Sequence, residues 1–302
     1  MSSLHRYLPC LILLVLGGGG GGGGGPTAVA AAGKVPAIIV FGDSSVDTGN
    51  NNFIPTIARS NFWPYGRDFA DGHPTGRFSN GRLATDFISE AFGLPASIPA
   101  YLDTTLTIDD LAAGVSFASA STGLDNATAG ILSVITMAEQ LDYFKEYKQR
   151  LKLAKGDARG EEIIREALYI WSIGTNDFIE NYYNLPGAGC STRRRPGFNT
   201  KLQQAVVPKL NKELPGLHLV YADTYDVLDV VVRKPADYGF ENAERGCCGT
   251  GMFEAGYFCS LSTSLLCRNA NKYVFFDAIH PTERMYSILA DKVMNTTLHV
   301  FL

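Results

Sequence analysis

The chain lacks any excess of positive charge: 26 Lys and Arg stand against 30 Asp and Glu in 302 residues, for a net charge of −4. That argues against the basic footprint of a nucleic-acid-binding protein. The single basic run, Arg193-Arg194-Arg195, lies among Gly, Pro and Ser and reads as a solvated loop. No apolar stretch approaches the roughly 20 residues that span a bilayer. There is no Gly-x-Gly-x-x-Gly after a strand and no Gly-Lys-Ser/Thr, so neither a dinucleotide fingerprint nor a phosphate loop is indicated; Gly17 to Gly25 form a homopolymer near the N-terminus. There is no Gly-x-Ser-x-Gly either, which sets aside the nucleophile elbow of α/β-hydrolases. Cysteines never occur as Cys-x₂-Cys, and the adjacent Cys247-Cys248 suits a tetrahedral zinc site poorly. No metal or cofactor is expected.

What is present points to secretion. A weakly basic start, Met1 to Arg6, leads into an apolar run ending at Leu16, then the glycine tract, then Ala28-Val29-Ala30 as a small-x-small cleavage pattern. Residues 1–32 read as a signal peptide, and residues 33–302 as one large domain. After Cys10 leaves, five cysteines remain: Cys190, Cys247, Cys248, Cys259 and Cys267. The last four lie close together, and an oxidising compartment would staple that loop-rich region with disulfides; five being odd, one of the five thiols should lack a partner. Asn126-Ala127-Thr128 and Asn295-Thr296-Thr297 are N-glycosylation acceptors, at Asn126 and Asn295.

The apolar run from Val35 to Phe41 predicts a strand buried on both faces. Residues 168–173 and 217–221 predict two more, and 114–118 a short strand or turn of small residues. Helices are expected over 83–92, 133–155, 161–167, 202–214 and 225–232, with Pro281 opening a final helix to about Leu298. Residues 48–82 and the cysteine-rich 235–271 read as long loops, both expected to line a pocket. Strands alternating with helices imply a parallel sheet covered on both faces, with its site beyond the carboxyl ends of the strands.

Ser44 follows the first of these strands in the context Gly42-Asp43-Ser44, where glycine permits a tight turn that exposes the hydroxyl. A serine needs a base to take its proton. Among the histidines, His5 lies in the leader, His73 in a glycine-rich loop, His218 within a strand and His299 near the end. His280 has Asp277 three residues before it, close enough to fix the imidazole tautomer and stabilise imidazolium. Asn176 follows the second strong strand and can donate a side-chain N–H to an oxyanion. Backbone N–H groups of Ser44 and of the loop from Ala120 to Gly123 can supply the rest.

These islands carry a resemblance. Phe41 to Asn51, Gly114 to Ser119, Gly174-Thr175-Asn176-Asp177 and Asp277 to Glu283 resemble the four blocks of plant GDSL esterase/lipases in the SGNH-hydrolase superfamily. Gly246 to Gly251 resembles a further signature of that family. The resemblance implies a flavodoxin-like three-layer α/β/α sandwich and cleavage of carboxylic esters, small-molecule or lipid, through an acyl-enzyme. By match, Ser44 is the nucleophile, Asp277 and His280 complete the triad, and Asn176, Ser121 and Gly123 belong to the oxyanion hole. Ser121 stands where the family has glycine; a positive φ there would cost about 1–2 kcal/mol.

Between Tyr183 and the helix near Leu202 the family's pattern calls for several dozen further residues, one strand and one helix among them. The sheet is therefore expected to be one strand short, with the parity of the later strands preserved. Two rival readings stand beside the secreted acyl esterase: a carbohydrate acetylesterase, which needs the same triad, and a non-catalytic remnant of the same fold.

Overall fold

Alternate residues of the run from Ala37 to Phe41 are buried in two different cores. Ile38 and Val40 pack on one side with Ile88, Ala290 and Val293. Ala37, Ile39 and Phe41 pack on the other with Val115, Phe117, Tyr147 and Leu151. A strand's side chains alternate between faces, so this segment has helices on both sides. Each aliphatic side chain buried this way contributes about 1.5–3 kcal/mol relative to exposure.

The computed structural model describes residues 12–18, 35–182, 202–214 and 217–302. Five strands, β1 (Ile12–Gly18), β2 (Ile38–Gly42), β3 (Gly114–Ser116), β4 (Leu168–Ser172) and β5 (Leu217–Asp223), form one sheet in the order β3-β2-β4-β1-β5. Around it lie α1 (Ala84–Ala91), α2 (Asn126–Leu132), α3 (Met137–Lys155) and α4 (Asp157–Glu166). These are followed by α5 (Val207–Glu213), α6 (Thr224–Arg233), α7 (Tyr257–Leu261) and α8 (Glu283–Thr296). Helices α1 and α8 cover one face, and α3 and α4 the other, giving three layers. No described helix is long and apolar enough to cross a membrane.

β2 runs parallel to both β3 and β4, as expected. The slot next to β4 is where the missing strand was expected to leave a gap. β1 occupies it, antiparallel to β4 and to β5, with Leu13 opposite Ser172 and Ile12 opposite Asp223. Residues of the expected leader thus supply a strand to the sheet. The physical reason is that β4 and β5 each carry ladder N–H and C=O groups that need partners, and the backbone of the N-terminal apolar run supplies them. β4 and β5 still point the same way, so the parity argument holds with β1 between them.

Several boundaries differ from expectation, among them that of α4, which begins at Asp157 rather than Glu161. The helix expected from Ser133 begins at Met137, where Thr136 and Glu139 form a capping box. The preceding residues form the separate helix α2, capped by Asp125 and closed by Ser133 in the left-handed region. Pro281 lies before α8 rather than in its first turn, because Thr282 is the N-cap, its side chain accepting from Met285 N–H. In the loop of 48–82, Arg77 reaches a buried bidentate pair with Asp86 of α1, at 2.8 and 2.9 Å, tying the loop to the helix layer. Cys10, Cys190, Arg193 to Arg195, the cleavage pattern at Ala28 to Ala30 and most of the shortened region after Tyr183 lie outside the described residues.

Candidate active site

The parallel strands β2, β3 and β4 end at one edge of the sheet, and the loop that follows each carries one of the sequence islands. Beyond β2 the chain turns at Gly42, whose φ of 141° favours glycine. A Cβ there would lie 1.9 Å from the Ser172 carbonyl oxygen, so no side chain fits. Gln140 of α3 clamps the same residue, its amide accepting from Gly42 N–H and donating to Gly42 C=O, both at 2.9 Å. Ser45 turns inward, bonded to Asp43 and to Ser172 at 2.7 Å. Ser44 is left beside the pocket.

His280 Nε2 lies 2.8 Å from Ser44 Oγ. Its Nδ1 lies 2.8 and 2.9 Å from the two oxygens of Asp277. Asp277 is fully buried and saturated with donors: the N–H groups of Ile279 and His280 at 2.8 and 2.7 Å, and the Tyr65 hydroxyl at 2.6 Å. Burial alone would raise this carboxyl. The adjacent His280, its hydrogen bonds and the Tyr65 hydroxyl outweigh burial and hold it below the ordinary carboxylate range. An ionised Asp277 fixes the proton on Nδ1 and leaves Nε2 free to accept from Ser44. Phe78 packs against the imidazole, with ring centroids 4.7 Å apart.

The loop after β3 is held by its neighbours rather than by its own sequence. Asp47 accepts from Gly49 and Asn50 N–H at 2.8 Å and from Ala120 N–H at 2.9 Å. Burial nonetheless lifts its carboxyl to about 6. Asn50 donates to the carbonyls of Ser116 and Ala118, and Asn51 to that of Ala120. The Asp-Thr-Gly-Asn-Asn stretch after Ser44 therefore fastens the nucleophile loop to the oxyanion loop.

Within that loop Ser121 has φ 66°, so the position does demand the left-handed region. Asn176 Nδ2 donates to Thr122 C=O at 3.0 Å, and its second hydrogen remains for the pocket, which Asn176 lines. Gly123 is not among the pocket-lining residues. It lies against Asp177, where a Cβ would meet Oδ1 at 2.2 Å. Asp177 accepts from Leu124 and Asp125 N–H and from the Thr128 hydroxyl. Asn176 and Asp177 thus both lock the loop after β3.

The pocket measures about 170 Å³. It is lined by Ser44, His280, Asn176 and Ser121, by Ile57, Ala58 and Phe78 from the first long loop, and by Ala255 to Phe258 from the cysteine-rich one. Both loops therefore contribute, as expected. Disulfides Cys247–Cys267 and Cys248–Cys259 staple the second. Tyr65, Gln140 and Glu180 are site residues that sequence reading missed. Among the described residues no cluster of His, Cys, Asp and Glu could hold a metal ion. Asn126 and Asn295 are both exposed, on α2 and α8.

Comparison with known proteins bears on this arrangement. The family model described as GDSL-like Lipase/Acylhydrolase matches residues 38–221 and 196–293. The chain is 46% identical to GDSL esterase/lipase At2g04570 of Arabidopsis thaliana, covering 90% of this chain and 94% of the relative. It is 45% identical to GDSL esterase/lipase At2g42990, with the same coverage, and 43% identical to At4g26790, covering 89% and 93%, both of that organism. The first alignment runs to 329 positions, more than the 302 residues of this chain. That relative thus carries residues with no counterpart here.

Proposed function

Because the chain belongs to the GDSL lipase/acylhydrolase family, whose members are carboxylic ester hydrolases, we propose that it cleaves acyl esters through an acyl-enzyme on Ser44. The observation that carries this reading is the 2.8 Å approach of Ser44 Oγ to His280 Nε2, with Asp277 on the far side of the ring. Ser44 gives its proton to His280 as its oxygen attacks the ester carbonyl. The resulting oxyanion takes hydrogen bonds from the backbone N–H groups of Ser44 and Ser121 and from the second Nδ2 hydrogen of Asn176. Each such donor is worth about 3–4 kcal/mol in the transition state. His280 then protonates the departing alcohol, and water, deprotonated by the same imidazole, releases the acid. Asp277 stays ionised throughout.

A pocket of about 170 Å³ is smaller than the roughly 300–1,000 Å³ of common ligand sites. It holds the reacting end of a small ester, with the remainder over the exposed side chains of Ile57, Tyr257 and Phe258. That size also suits removal of an acetyl group from a carbohydrate. The test is hydrolysis of p-nitrophenyl butyrate by the purified protein and its Ser44→Ala variant, with a fluorophosphonate probe to trap the nucleophile. Activity and a mass increment on Ser44 in the wild type alone are expected. Equal rates in the two proteins sink the mechanism.

Secretion is part of the same reading, supported by the basic-apolar-small N-terminus and the two disulfides. Recovery from the medium of a chain that still begins at Met1 would refute leader removal. Glycans on Asn126 and Asn295 are expected in the secreted form, and a mass unchanged by peptide N-glycosidase would rule them out.

A further inference from the structure

One carboxyl in the pocket has no part in the reaction just described. Glu180 lies four residues after Asn176, on a π-helical turn spanning Asp177–Tyr182. It lines the same pocket as Ser44, Ser121 and His280. The nearby Ser121 hydroxyl favours the charged form of this carboxyl. Its Oε2 is buried and has no hydrogen-bond partner among the described residues. The surrounding walls are apolar: Ile57, Ala58, Phe78, Leu132 and Phe258. A buried acceptor without a partner is costly, and native proteins seldom retain one without a reason. Inside a substrate pocket the missing partner is available from the substrate.

We propose that Glu180 is a specificity-determining residue that recognises a hydroxyl group on the ester, so that the enzyme selects hydroxylated esters over their unsubstituted counterparts. The inference rests on the serine-esterase reading above. An ester hydroxyl that enters the pocket hydrogen-bonds the Glu180 carboxyl, which lines it. An apolar isostere leaves the carboxyl without that partner, which is how sites built around a polar contact reject analogues lacking it. A hydroxyl also suits this carboxyl better than a cation does. Burial, reinforced by nearby Asp43, lifts Glu180 to about 7, so near neutrality it is ionised only part of the time. A hydroxyl can accept from the neutral acid and donate to the carboxylate, whereas an ammonium group is held only by the latter.

The hydroxyl can sit on either half of the substrate, and two matched pairs separate the cases. p-Nitrophenyl 3-hydroxybutyrate against p-nitrophenyl butyrate tests the acyl side. Glyceryl monobutyrate against propyl butyrate, followed by pH-stat, tests the alcohol side. The readout is the ratio of kcat/KM within each pair, for wild type, Glu180→Gln and Glu180→Leu, with Glu180→Met as the substitute should the leucine variant not fold. In at least one pair the wild type is expected to favour the hydroxylated ester by about tenfold or more. The ratio should persist in the glutamine variant, which keeps donor and acceptor, and fall to about one in the leucine or methionine variant. Ratios near one in the wild type for both pairs, an unchanged ratio in the leucine or methionine variant, or a stronger preference for butyrylcholine would each overturn the assignment. Failure of the parent reading looks different: Ser44→Ala would then hydrolyse all four esters at the wild-type rate.

Discussion

Two serines, Ser121 and Ser133, hold φ angles of 66° and 54°, where a Cβ crowds the backbone at a cost of about 1–2 kcal/mol. Ser133 closes α2 at an exposed position, so Ser133→Gly should raise the unfolding free energy by about 1 kcal/mol. Ser121→Gly should gain less, because it also removes the hydroxyl that favours the charged form of Glu180. Urea denaturation of both variants checks the order, and a larger gain at Ser121 contradicts it. Tyr65 acts on the triad without touching substrate: it donates to Asp277 and accepts from Gly256 N–H at 2.7 Å. Tyr65→Phe keeps the ring and leaves two buried groups short of a partner, costing about 1–3 kcal/mol. The pH dependence follows from the lowered Asp277 carboxyl. A depressed folded value contributes stability above the unfolded value, lost as pH falls through the folded one. Removing the Tyr65 donor moves the folded value back up, so Tyr65→Phe should begin losing stability at a higher pH than wild type; coincident acid-unfolding curves would refute this. Ser44, Asn176, Asp277 and His280 were legible because each lies in a short motif beside a strand end or in a tight turn. Tyr65 and Gln140 were not, since they stand 212 and 98 residues from the groups they hold, and nothing in their neighbours marks the contact.

At the scale of elements, β2, β4, β5 and α3 could be read from hydrophobic runs and periodicity because their cores are built from those runs. Helix α2 escaped because Asn126–Leu132 is short and mostly small residues, held by the Asp125 cap and by Thr128 bonded to Asp177 rather than by an apolar stripe. The cysteine-rich loop depends on its staples. It carries Ala255 to Phe258 into the pocket while lacking long helices or strands of its own. The Cys247–Cys267 bridge spans 20 residues, a separation at which closure stabilises by about 3 kcal/mol. The double variant Cys247→Ala/Cys267→Ala should lower the urea midpoint accordingly and raise KM more than it lowers kcat, because the triad keeps its own supports while one wall of the pocket loosens. A kcat loss with KM unchanged would show that the bridge supports the triad instead.

For the molecule as a whole, the feature that no local pattern announced is β1. The apolar run ending at Leu16 has the composition of a leader and of a buried strand alike, and only the vacant place between β4 and β5 distinguishes the two uses. Protein produced without residues 1–34 should unfold at a lower urea concentration and with a shallower transition than the full chain, since β4 and β5 lose the partner that pairs with both; identical transitions would show that β1 adds nothing. If a peptidase removes this segment during export, the exported enzyme emerges with a furrow through the middle of its sheet. If the sheet closes first, the cut is shielded and the protein stays in the cell. The N-terminal sequence of the purified protein, beginning at Met1 or beyond the glycine tract, tells which of the two forms it has.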